Sequence, residues 1–309
     1  TDSLSNTIIY TYDALDRKTS IKDKNGNTAG FAYDATGNLI EVSDPLGKKT
    51  AYTYDPNGNR LTETDPLLHT TTYKYDALNR LAEMKDSLGN ATTTVYDELG
   101  RVKSTTNAIG QTTAFEYDLL DRLKKVTDAN GGIVTYTYDA NGNRLTQTDP
   151  NGNTTTYEYD ALNRLEIKTE PLGGVYQYVY DVVGNMTSMT DPKGDTKTYT
   201  YDELNRLIKT TYPDTTSDIF SYDANNNRIS MTDNLGTSIY TYDDLNRMNS
   251  YTDPFGKTVG YGYDNNGNRT SLTYPDGKVV NYGYDGLNRL QTVTDWLGRT
   301  TTYAYDDTD

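Results

Sequence analysis

The dipeptide Tyr-Asp recurs at an almost constant spacing, and this repeat limits the possible folds more than any other feature of the chain. It occurs fifteen times in 309 residues, and thirteen of the fourteen intervals are 21 residues long. The interval from Tyr222 to Tyr242 is 20 residues long because one residue is missing after Gly236, and we expect this to shorten a loop and leave the strands intact. A fixed period of about 20 to 50 residues is typical of repeat arrays. The tyrosines of the dipeptides are Tyr12, Tyr33, Tyr54, Tyr75, Tyr96, Tyr117, Tyr138, Tyr159, Tyr180, Tyr201, Tyr222, Tyr242, Tyr263, Tyr284 and Tyr305.

A single repeat, residues 140–160, contains two turn signals that leave room only for short strands. Its sequence is ANGNRLTQTDPNGNTTTYEYD. Asn141-Gly142 is expected to supply the positive φ angles of a hairpin turn, and Pro150 followed by Gly152 favours a tight reversal. The runs RLTQT and TTTYEY between the turns are rich in residue types that favour strands. Turns every ~10 residues leave no room for a helix, so each repeat is predicted to be a β-hairpin.

The repeats therefore predict an all-β fold. Hairpins of 21 residues in series would form one continuous antiparallel meander, the arrangement of a repeat or solenoid protein. No linker or shift in composition interrupts the series, so residues 1–309 are predicted to be a single array of about 15 YD repeats. The chain starts without Met and stops at Asp309, just inside the next turn, which we interpret as a fragment of a longer protein.

The strand that ends in each Tyr-Asp tyrosine alternates between aromatic and small or polar residues. A second aromatic residue lies two positions earlier in fourteen of the fifteen copies. Side chains two positions apart share one face of a strand, so we predict an aromatic row, with Thr53, Lys74 and Glu116 between the rings facing solvent. The other strand is less regular, since Leu123 and Val126 are three positions apart. Either a β-bulge restores the alternation or both faces are partly covered.

Two forms of the first turn in the repeat alternate from Tyr117 to Tyr284, so the underlying unit there is 42 residues long. One form carries Leu-Asn-Arg, as at residues 162–164, and the other carries Gly-Asn, as at residues 142–143. We expect successive hairpins to lie in two different environments, such as the inside and the outside of a bend.

The composition excludes several classes of function. Lys and Arg number 29 against 44 Asp and Glu, a formal charge of −15, whereas a nucleic-acid-binding protein needs basic residues to neutralise phosphates. No run of about 18 apolar residues is present, so no membrane-spanning helix is predicted. There is no Cys, which excludes disulfides and thiolate ligands or nucleophiles.

The apolar content is low for a chain that must fold. Hydrophobic residues make up 34% of the chain, below the ~45–50% usual for a globular domain. Tyrosine rings, a large surface or disorder must replace the missing aliphatic volume. Disorder fits poorly, because the chain contains 30 Tyr and is rich in Thr, whereas disordered segments are poor in aromatic and β-branched residues.

Three phrases of the repeat carry a resemblance to a known family. They are YDALNRL (159–165), YDANGNRLTQTDPNGNTTTYEYD (138–160) and YDELNRL (201–207), and they resemble the YD repeats of the Rhs family. That family includes bacterial Rhs and wall-associated polymorphic toxins, the C component of Tc toxin complexes, and animal teneurins. The resemblance implies a β-ribbon that spirals into a hollow shell, which in the toxins encloses a C-terminal effector.

The resemblance extends to the scaffold only. No segment resembles the family's core domain, which closes the shell and contains an acidic self-cleavage site, and no segment resembles a toxin domain. The absence of Cys favours a bacterial or archaeal source over an extracellular animal one.

No residue pattern predicts a catalytic, cofactor-binding or metal site. The Asp of each Tyr-Asp directly precedes a turn, where its carboxylate is expected to accept backbone N–H groups rather than to bind a ligand. Residues 139–143 and 23–27 faintly resemble a calcium loop, but the Gly at position six and the Glu at position twelve of an EF-hand are not in place. His69, the only histidine, is interpreted as a changed loop position. We therefore predict no enzyme activity and no cofactor.

The predicted function is structural: a wall segment of a secreted or cell-surface Rhs-like shell that encapsulates a C-terminal toxin or effector. Its partners would be further YD repeats, from the same chain or neighbouring copies, and the enclosed toxin domain. One alternative is an extended extracellular tube or fibre made of YD repeats. In another, the chain is an adhesin that binds glycans through its tyrosine rows. For those rows we prefer ring pairs across strands, each stabilising the sheet by roughly 0.2–1 kcal/mol.

Overall fold

The computed structural model describes residue 2 and residues 4–306, and every regular element in this part of the chain is a β-strand. The predicted all-β fold is therefore confirmed. All of these strands belong to one antiparallel sheet. No helix among the described residues is long and apolar enough to cross a membrane. The strands are β1 (Ile9–Tyr12), β2 (Lys18–Lys22), β3 (Thr28–Tyr33), β4 (Leu39–Ser43), β5 (Lys49–Tyr54), β6 (Arg60–Thr64), β7 (Thr70–Tyr75), β8 (Leu81–Lys85), β9 (Ala91–Tyr96), β10 (Val102–Thr106), β11 (Thr112–Tyr117), β12 (Leu123–Thr127), β13 (Ile133–Tyr138), β14 (Arg144–Thr148), β15 (Thr154–Tyr159), β16 (Leu165–Thr169), β17 (Val175–Tyr180), β18 (Met186–Thr190), β19 (Thr196–Tyr201), β20 (Leu207–Thr211), β21 (Ser217–Tyr222), β22 (Arg228–Asp233), β23 (Gly236–Tyr242), β24 (Met248–Thr252), β25 (Thr258–Tyr263), β26 (Arg269–Thr273), β27 (Val279–Tyr284), β28 (Leu290–Thr294) and β29 (Thr300–Thr302).

The chain divides into two compact units, and within each unit the strands pair with their neighbours in sequence. Unit 1 comprises Thr1–Gly89, Ser221–Met231 and Leu235–Asp309, and unit 2 comprises Asn90–Phe220 and Thr232–Asn234. In unit 1, antiparallel ladders run from β1 to β8 and from β23 to β29. In unit 2 the ladder runs from β9 to β20. Each unit is thus built by adding one hairpin after another.

Each repeat has two five-residue turns, at opposite ends of its strands, except that the second turn between β22 and β23 is shorter. The first turn begins with the Asp of Tyr-Asp, as at residues 139–143, and the second turn lies at the other end of the hairpin, as at residues 149–153. In both, the first N–H donates to the fifth C=O and the fourth N–H donates to the first C=O. This is a type I turn followed by a residue in the left-handed region. Proline suits the second position of such a turn because its φ is already the required one.

The fourth residue of each turn has a positive φ. Glycine occupies many of these positions, as at Gly142 with a φ of 94°, and Asn or Asp occupies most of the others. Asn141 is not in the left-handed region, so the expectation that Asn-Gly supplies two positive φ angles is wrong. A three-residue loop needs only one such residue. Leu68 (φ 66°) and Thr215 (φ 72°) hold this conformation with branched side chains, which is costly for the backbone.

A β-bulge sets the register inside each hairpin. In the β11–β12 pair, Phe115 lies opposite Val126 and Tyr117 lies opposite Leu123, which leaves Lys124 as an extra residue. Because the extra residue shifts the alternation by one position, Leu123 and Val126 lie on the same face as the aromatic residues. The bulge is therefore the correct alternative, and the residues between the paired aromatics are exposed as predicted.

The sheet has almost no conventional core. Among the described residues Val280, 7% exposed, is the one buried apolar side chain, and no side chain is fully enclosed. The accessible surface is 18870 Å², against about 13,000 Å² expected for a compact monomer of this mass. The low apolar content is therefore accommodated by a large surface, with tyrosine rings half-buried on one face of the strands.

Candidate functional site

The aspartate at the start of each turn closes the turn through its side chain. Asp160 Oδ1 accepts hydrogen bonds from the backbone N–H groups of Leu162 (2.9 Å) and Arg164 (3.0 Å), and Oδ2 accepts one from Arg164 Nε (2.7 Å). The Arg164 backbone N–H, assisted by its guanidinium, holds the pKa of Asp160 below its ordinary value. The same arrangement recurs in the second turns, for example between Asp149 and Asn153. The predicted structural role of these aspartates is confirmed.

The Leu-Asn-Arg turn also binds the following repeat. The Arg164 guanidinium lies over the Tyr180 ring, 4.8 Å from its centroid, and its Nη1 donates to the Asp181 backbone C=O at 2.8 Å. One arginine therefore contacts its own turn aspartate and the Tyr-Asp of the next hairpin. We call this contact the arginine clamp, and it recurs with Arg17, Arg122 and Arg247 as the arginine.

The Gly-Asn turn binds the following repeat through amides instead. The Nδ2 groups of Asn141 and Asn143 donate to Asn163 Oδ1, at 2.9 and 2.7 Å. The next residue, Arg144, lies over the Tyr157 ring at 4.7 Å and donates to the Tyr157 hydroxyl at 3.2 Å. The 42-residue period therefore corresponds to two kinds of contact between hairpins, a chemical difference that explains the alternation without two positions around a bend.

The Tyr-Asp tyrosine connects its strand to the preceding hairpin. The Tyr180 hydroxyl donates to the Leu165 C=O at 2.9 Å, fifteen residues earlier. The pairing between β16 and β17 stops at Ile167 and Gln177, so the hydroxyl satisfies a carbonyl that the ladder does not reach. Burial raises the pKa of Tyr180 above its ordinary value. The bond recurs from Tyr33, Tyr54, Tyr75, Tyr117, Tyr138, Tyr159, Tyr201, Tyr263, Tyr284 and Tyr305.

The shortened repeat keeps this bond. The Tyr242 hydroxyl donates to the Arg228 C=O at 2.9 Å although the two residues are only fourteen positions apart. The missing residue shortens a loop and leaves β22 and β23 in place, as predicted.

The tyrosine rings are covered mainly by cations, which corrects the expectation that the rings pair with one another. Tyr240 and Tyr251 do pack together, with ring centroids 5.3 Å apart. In some repeats arginine instead contacts the ring of the Tyr-Asp tyrosine, as at Tyr117 and Tyr263, and in others it contacts the aromatic residue two positions earlier, as at Tyr157. Where the hydroxyl bonds to the backbone and arginine covers the ring face, as at Tyr117 and Tyr263, the contacts of the tyrosine are structural.

The remaining candidates from the sequence have structural roles. His69 takes the fifth position of a second turn, and its Nδ1 lies 3.0 Å from Asp65 Oδ2, where other turns place Asn or Arg. Within residue 2 and residues 4–306, no group of three His, Asp or Glu side chains is arranged to hold a metal ion.

One aromatic cleft was missed by the sequence reasoning. Tyr274 and Trp296 meet edge to face with centroids 6.1 Å apart, in a cleft of about 450 Å³ in unit 1. Lys257 and Lys278 also line it, and Lys278 lies 5.3 Å from the Trp296 ring. The signal was present in the sequence: Tyr274 stands where most second turns carry Asp, and Trp296 is the only tryptophan.

Comparison with known proteins identifies the repeat. The family model described as RHS Repeat matches residues 33–67, 96–133, 118–150, 138–175, 165–196, 180–217, 222–258, 250–279 and 263–300, which together cover most of the chain. A search of curated proteins found no match.

Solved structures of Tc toxin components are similar in fold. A crystal structure of TcdB2-TccC3-TEV matches with a TM-score of 0.72 and 16% identity, covering 93% of this chain and 19% of that one. The Photorhabdus luminescens Tc holotoxin pore (TM-score 0.38) and TcdB2-TccC3-Cdc42 (TM-score 0.39) match over 93% of this chain and 24% of theirs, both at 16% identity. The present chain thus spans about a fifth of the first of these relatives.

Proposed function

This chain belongs to the RHS-repeat family, and from that premise we propose that it forms part of the wall of a hollow, extracellular shell that encapsulates a C-terminal toxin or effector. The chain is a repeat scaffold, and the role that we propose for it is structural. The proposal concerns what the scaffold encloses and where it acts.

The observation that carries the proposal is the way hairpins hold one another. Arg164 joins its own turn to Tyr180 and Asp181 of the next hairpin, and Asn163 accepts amides from the preceding one. Each hairpin is therefore held from both sides by its neighbours without a second layer of protein. A wall one sheet thick needs this property, because it must be stable while one face borders an internal space.

The similarity to Tc toxin components supports the part of the proposal that concerns cargo. The solved relative is a complex that includes TccC3, and this chain corresponds to about a fifth of its length. By analogy, the shell would be completed by further segments of a longer protein, and the cargo would be a separate domain. Similarity in fold supports a role as a shell, whereas the identity of the enclosed domain has to come from the cargo itself.

Limited proteolysis of the full natural protein tests the encapsulation. We expect the domain that follows the repeats to resist protease while the wall is folded, and to be digested rapidly when the same domain is produced alone. Equal digestion rates in the two forms would contradict encapsulation.

A second candidate function, glycan binding, is favoured by the aromatic cleft alone. Tyr274 and Trp296 remain 40% and 45% exposed there, and Lys257 makes no ion pair with any described residue. Exposed rings beside a free ammonium suit an acidic sugar, whose apolar face contacts the rings and whose carboxylate binds the cation. Asp276 instead pairs with Lys278 at 2.6 Å.

The single tryptophan provides the assay. Titration with an oligouronate should change Trp296 fluorescence in a saturable way, and Lys257→Ala should weaken the response while a neutral oligosaccharide gives none. The absence of a saturable change with the oligouronate would remove this candidate.

A further inference from the structure

Two turns from distant parts of the chain lie against each other in unit 1. The Asn25 side-chain amide donates to Asp264 Oδ2 at 3.0 Å, and the Asn266 amide donates to Asp23 Oδ2 at 2.7 Å. Residues 23–27 form a second turn, and Asp264 begins a first turn. We call the row of first turns the first-turn edge and the row of second turns the second-turn edge. In unit 1 these two edges therefore bind each other.

The next repeat along each edge continues the contact with apolar groups. A Cβ placed on Gly286 would lie 3.2 Å from Leu46 Cδ2 and 3.7 Å from Pro45 Cβ, so the two turns are closely packed. Leu287, in the same first turn, is half-buried. In these two contacts, the turn with Asn266 meets the turn with Asn25, and the turn with Leu287 meets the turn with Leu46.

The corresponding turn positions of unit 2 are exposed to solvent. On the first-turn edge, Leu162 and Leu204 are 65% and 67% exposed, although they correspond to the half-buried Leu287. On the second-turn edge, Ile109 and Leu172 are 77% and 100% exposed, against 47% for Leu46. Apolar side chains occupy successive turns of the first-turn edge at Leu162, Val183 and Leu204, and such an extended exposed apolar surface marks an interaction site. On the second-turn edge, the amides Asn130 and Asn151 lie between Ile109 and Leu172.

We propose that the first-turn edge of unit 2 binds the second-turn edge of a second copy of this chain, by the contact that unit 1 makes internally. The two edges already fit each other in unit 1, and unit 2 presents both edges uncovered. Its first-turn edge carries the residue types found on the bound edge of unit 1, namely one amide (Asn141) and four apolar residues (Leu120, Leu162, Val183 and Leu204).

The contact joins two different surfaces, which has a consequence for the assembly. A heterologous contact leaves one unused edge on each end of every dimer, so copies add in an open series rather than closing as a pair. Each copy carries a charge of −15, so the copies repel one another at low ionic strength. Added salt screens that repulsion and should strengthen an association that rests on leucines and on amide–carboxylate hydrogen bonds, since neither needs attraction between opposite charges.

Sedimentation velocity of the 309-residue chain over about a hundredfold range of concentration tests the proposal. We expect a concentration-dependent series of oligomers that grows with added salt. The double variant L162D/L204D should weaken association by at least about tenfold in Kd. Both side chains are exposed, so the variant should keep its β-rich circular dichroism. The matched control Val179→Asp changes an exposed valine (54%) that belongs to strand β17 and not to a turn, so this variant should associate like the parent.

Other results would overturn the proposal. The proposal is contradicted if the chain is a monomer at all concentrations or forms a dimer that does not grow. It is also contradicted if the Val179→Asp control loses association as strongly as L162D/L204D does. Association that survives L162D/L204D but is lost in Thr301→Pro would mean that the free ladder edge of β29 pairs instead. None of these outcomes bears on encapsulation, which the proteolysis of the full natural protein tests separately.

Discussion

Single residues in this chain act mainly by satisfying backbone groups that have no other partner. The turn aspartates accept N–H groups inside five-residue loops, and the Tyr-Asp tyrosines donate to carbonyls beyond the end of a ladder. An unsatisfied backbone group costs free energy, so these bonds are most valuable where the sheet has no buried core to compensate. The repeated Tyr-Asp is therefore explained residue by residue: the tyrosine bonds backward to the preceding hairpin and the aspartate closes the turn that follows.

Removing the tyrosine hydroxyl should destabilise the sheet locally. Tyr180→Phe loses the bond to the Leu165 C=O and should lower the free energy of local opening by about 1 kcal/mol. Native-state hydrogen exchange is the appropriate measurement, because repeat arrays do not unfold in two states. Tyr178→Phe is the matched control, since the Tyr178 hydroxyl bonds to no described residue. Equal effects in the two variants would refute the role of the hydroxyl.

Replacing Thr215 by glycine should stabilise its strained turn. Thr215 has a φ of 72°, which a β-branched residue adopts at a cost, whereas glycine adopts it freely. Thr215→Gly should raise local stability by about 1 kcal/mol, and Gly152→Thr, in a turn with a φ of 84°, should lower it by a similar amount. Exchange of the amides flanking each turn would report both changes. A destabilised Thr215→Gly variant would contradict this account of the turn.

Acid should weaken the turns. The hydroxyl of Thr36 and the Asn38 amide lower the pKa of Asp34 to about 2 from an ordinary value of 3.8. A lowered folded-state pKa means that the contribution to stability is present above pH 3.8 and is lost as the pH falls toward about 2. Urea unfolding at several pH values should show this loss, and Asp34→Asn should reduce it. Below the isoelectric point of about 4.5, protonation also gives the chain a growing net positive charge, and the resulting repulsion acts in the same direction. An equal loss of stability in Asp34→Asn would show that this repulsion, and not the turn, is responsible.

At the scale of the hairpin, two different contacts perform the same task of joining neighbours. Arg164 reaches Tyr180 and Asp181 from a Leu-Asn-Arg turn, whereas Asn141 and Asn143 reach Asn163 from a Gly-Asn turn. Each repeat thus offers one kind of contact to the next repeat and receives the other kind from the previous one. The alternation makes neighbouring hairpins chemically different from each other. A shift of the array by one repeat would therefore bring mismatched turns together.

The arginine clamp should be measurable as a coupling. A double-mutant cycle of Arg164→Ala and Tyr180→Phe isolates the hydroxyl, while Arg164→Ala with Tyr180→Leu removes the ring. We expect a coupling of about 0.5–1 kcal/mol in the second cycle and little in the first, since the guanidinium contacts the ring face. Local hydrogen exchange in β17 gives the four free energies of each cycle. A larger coupling in the first cycle would show that the hydroxyl, not the ring face, is the partner.

The sequence is sufficient to predict what lies within one repeat. Turn residues and alternation predict the hairpin, and the position of Asp160 before its turn predicts its bonds. The contact of Arg164 with Tyr180 was not predicted, because it depends on how closely two hairpins approach when the ladder between them ends early. The aromatic cleft was missed for the same reason, since Tyr274 and Trp296 belong to successive second turns. Contacts between repeats depend on the strand register. The sequence did not decide whether a β-bulge restores the alternation or whether both faces of the strand are partly covered.

At the scale of the molecule, the chain exposes far more surface than a compact protein of its mass and compensates with repeated polar contacts. Such a sheet is thin and can be extended by simply adding hairpins. A scaffold with these properties is suited to forming a wall, and the exposed apolar edges of unit 2 provide a way to join one length of wall to another.

Electron cryomicroscopy of the assembled natural protein is the most direct test of the central claim, that these repeats are the wall of a hollow structure. The account predicts a layer one β-sheet thick bordering an internal space, with closed particles supporting the shell and long uniform tubes supporting head-to-tail addition. Density from other protein layers packed against both faces of the repeat sheet, leaving no internal space, would contradict it.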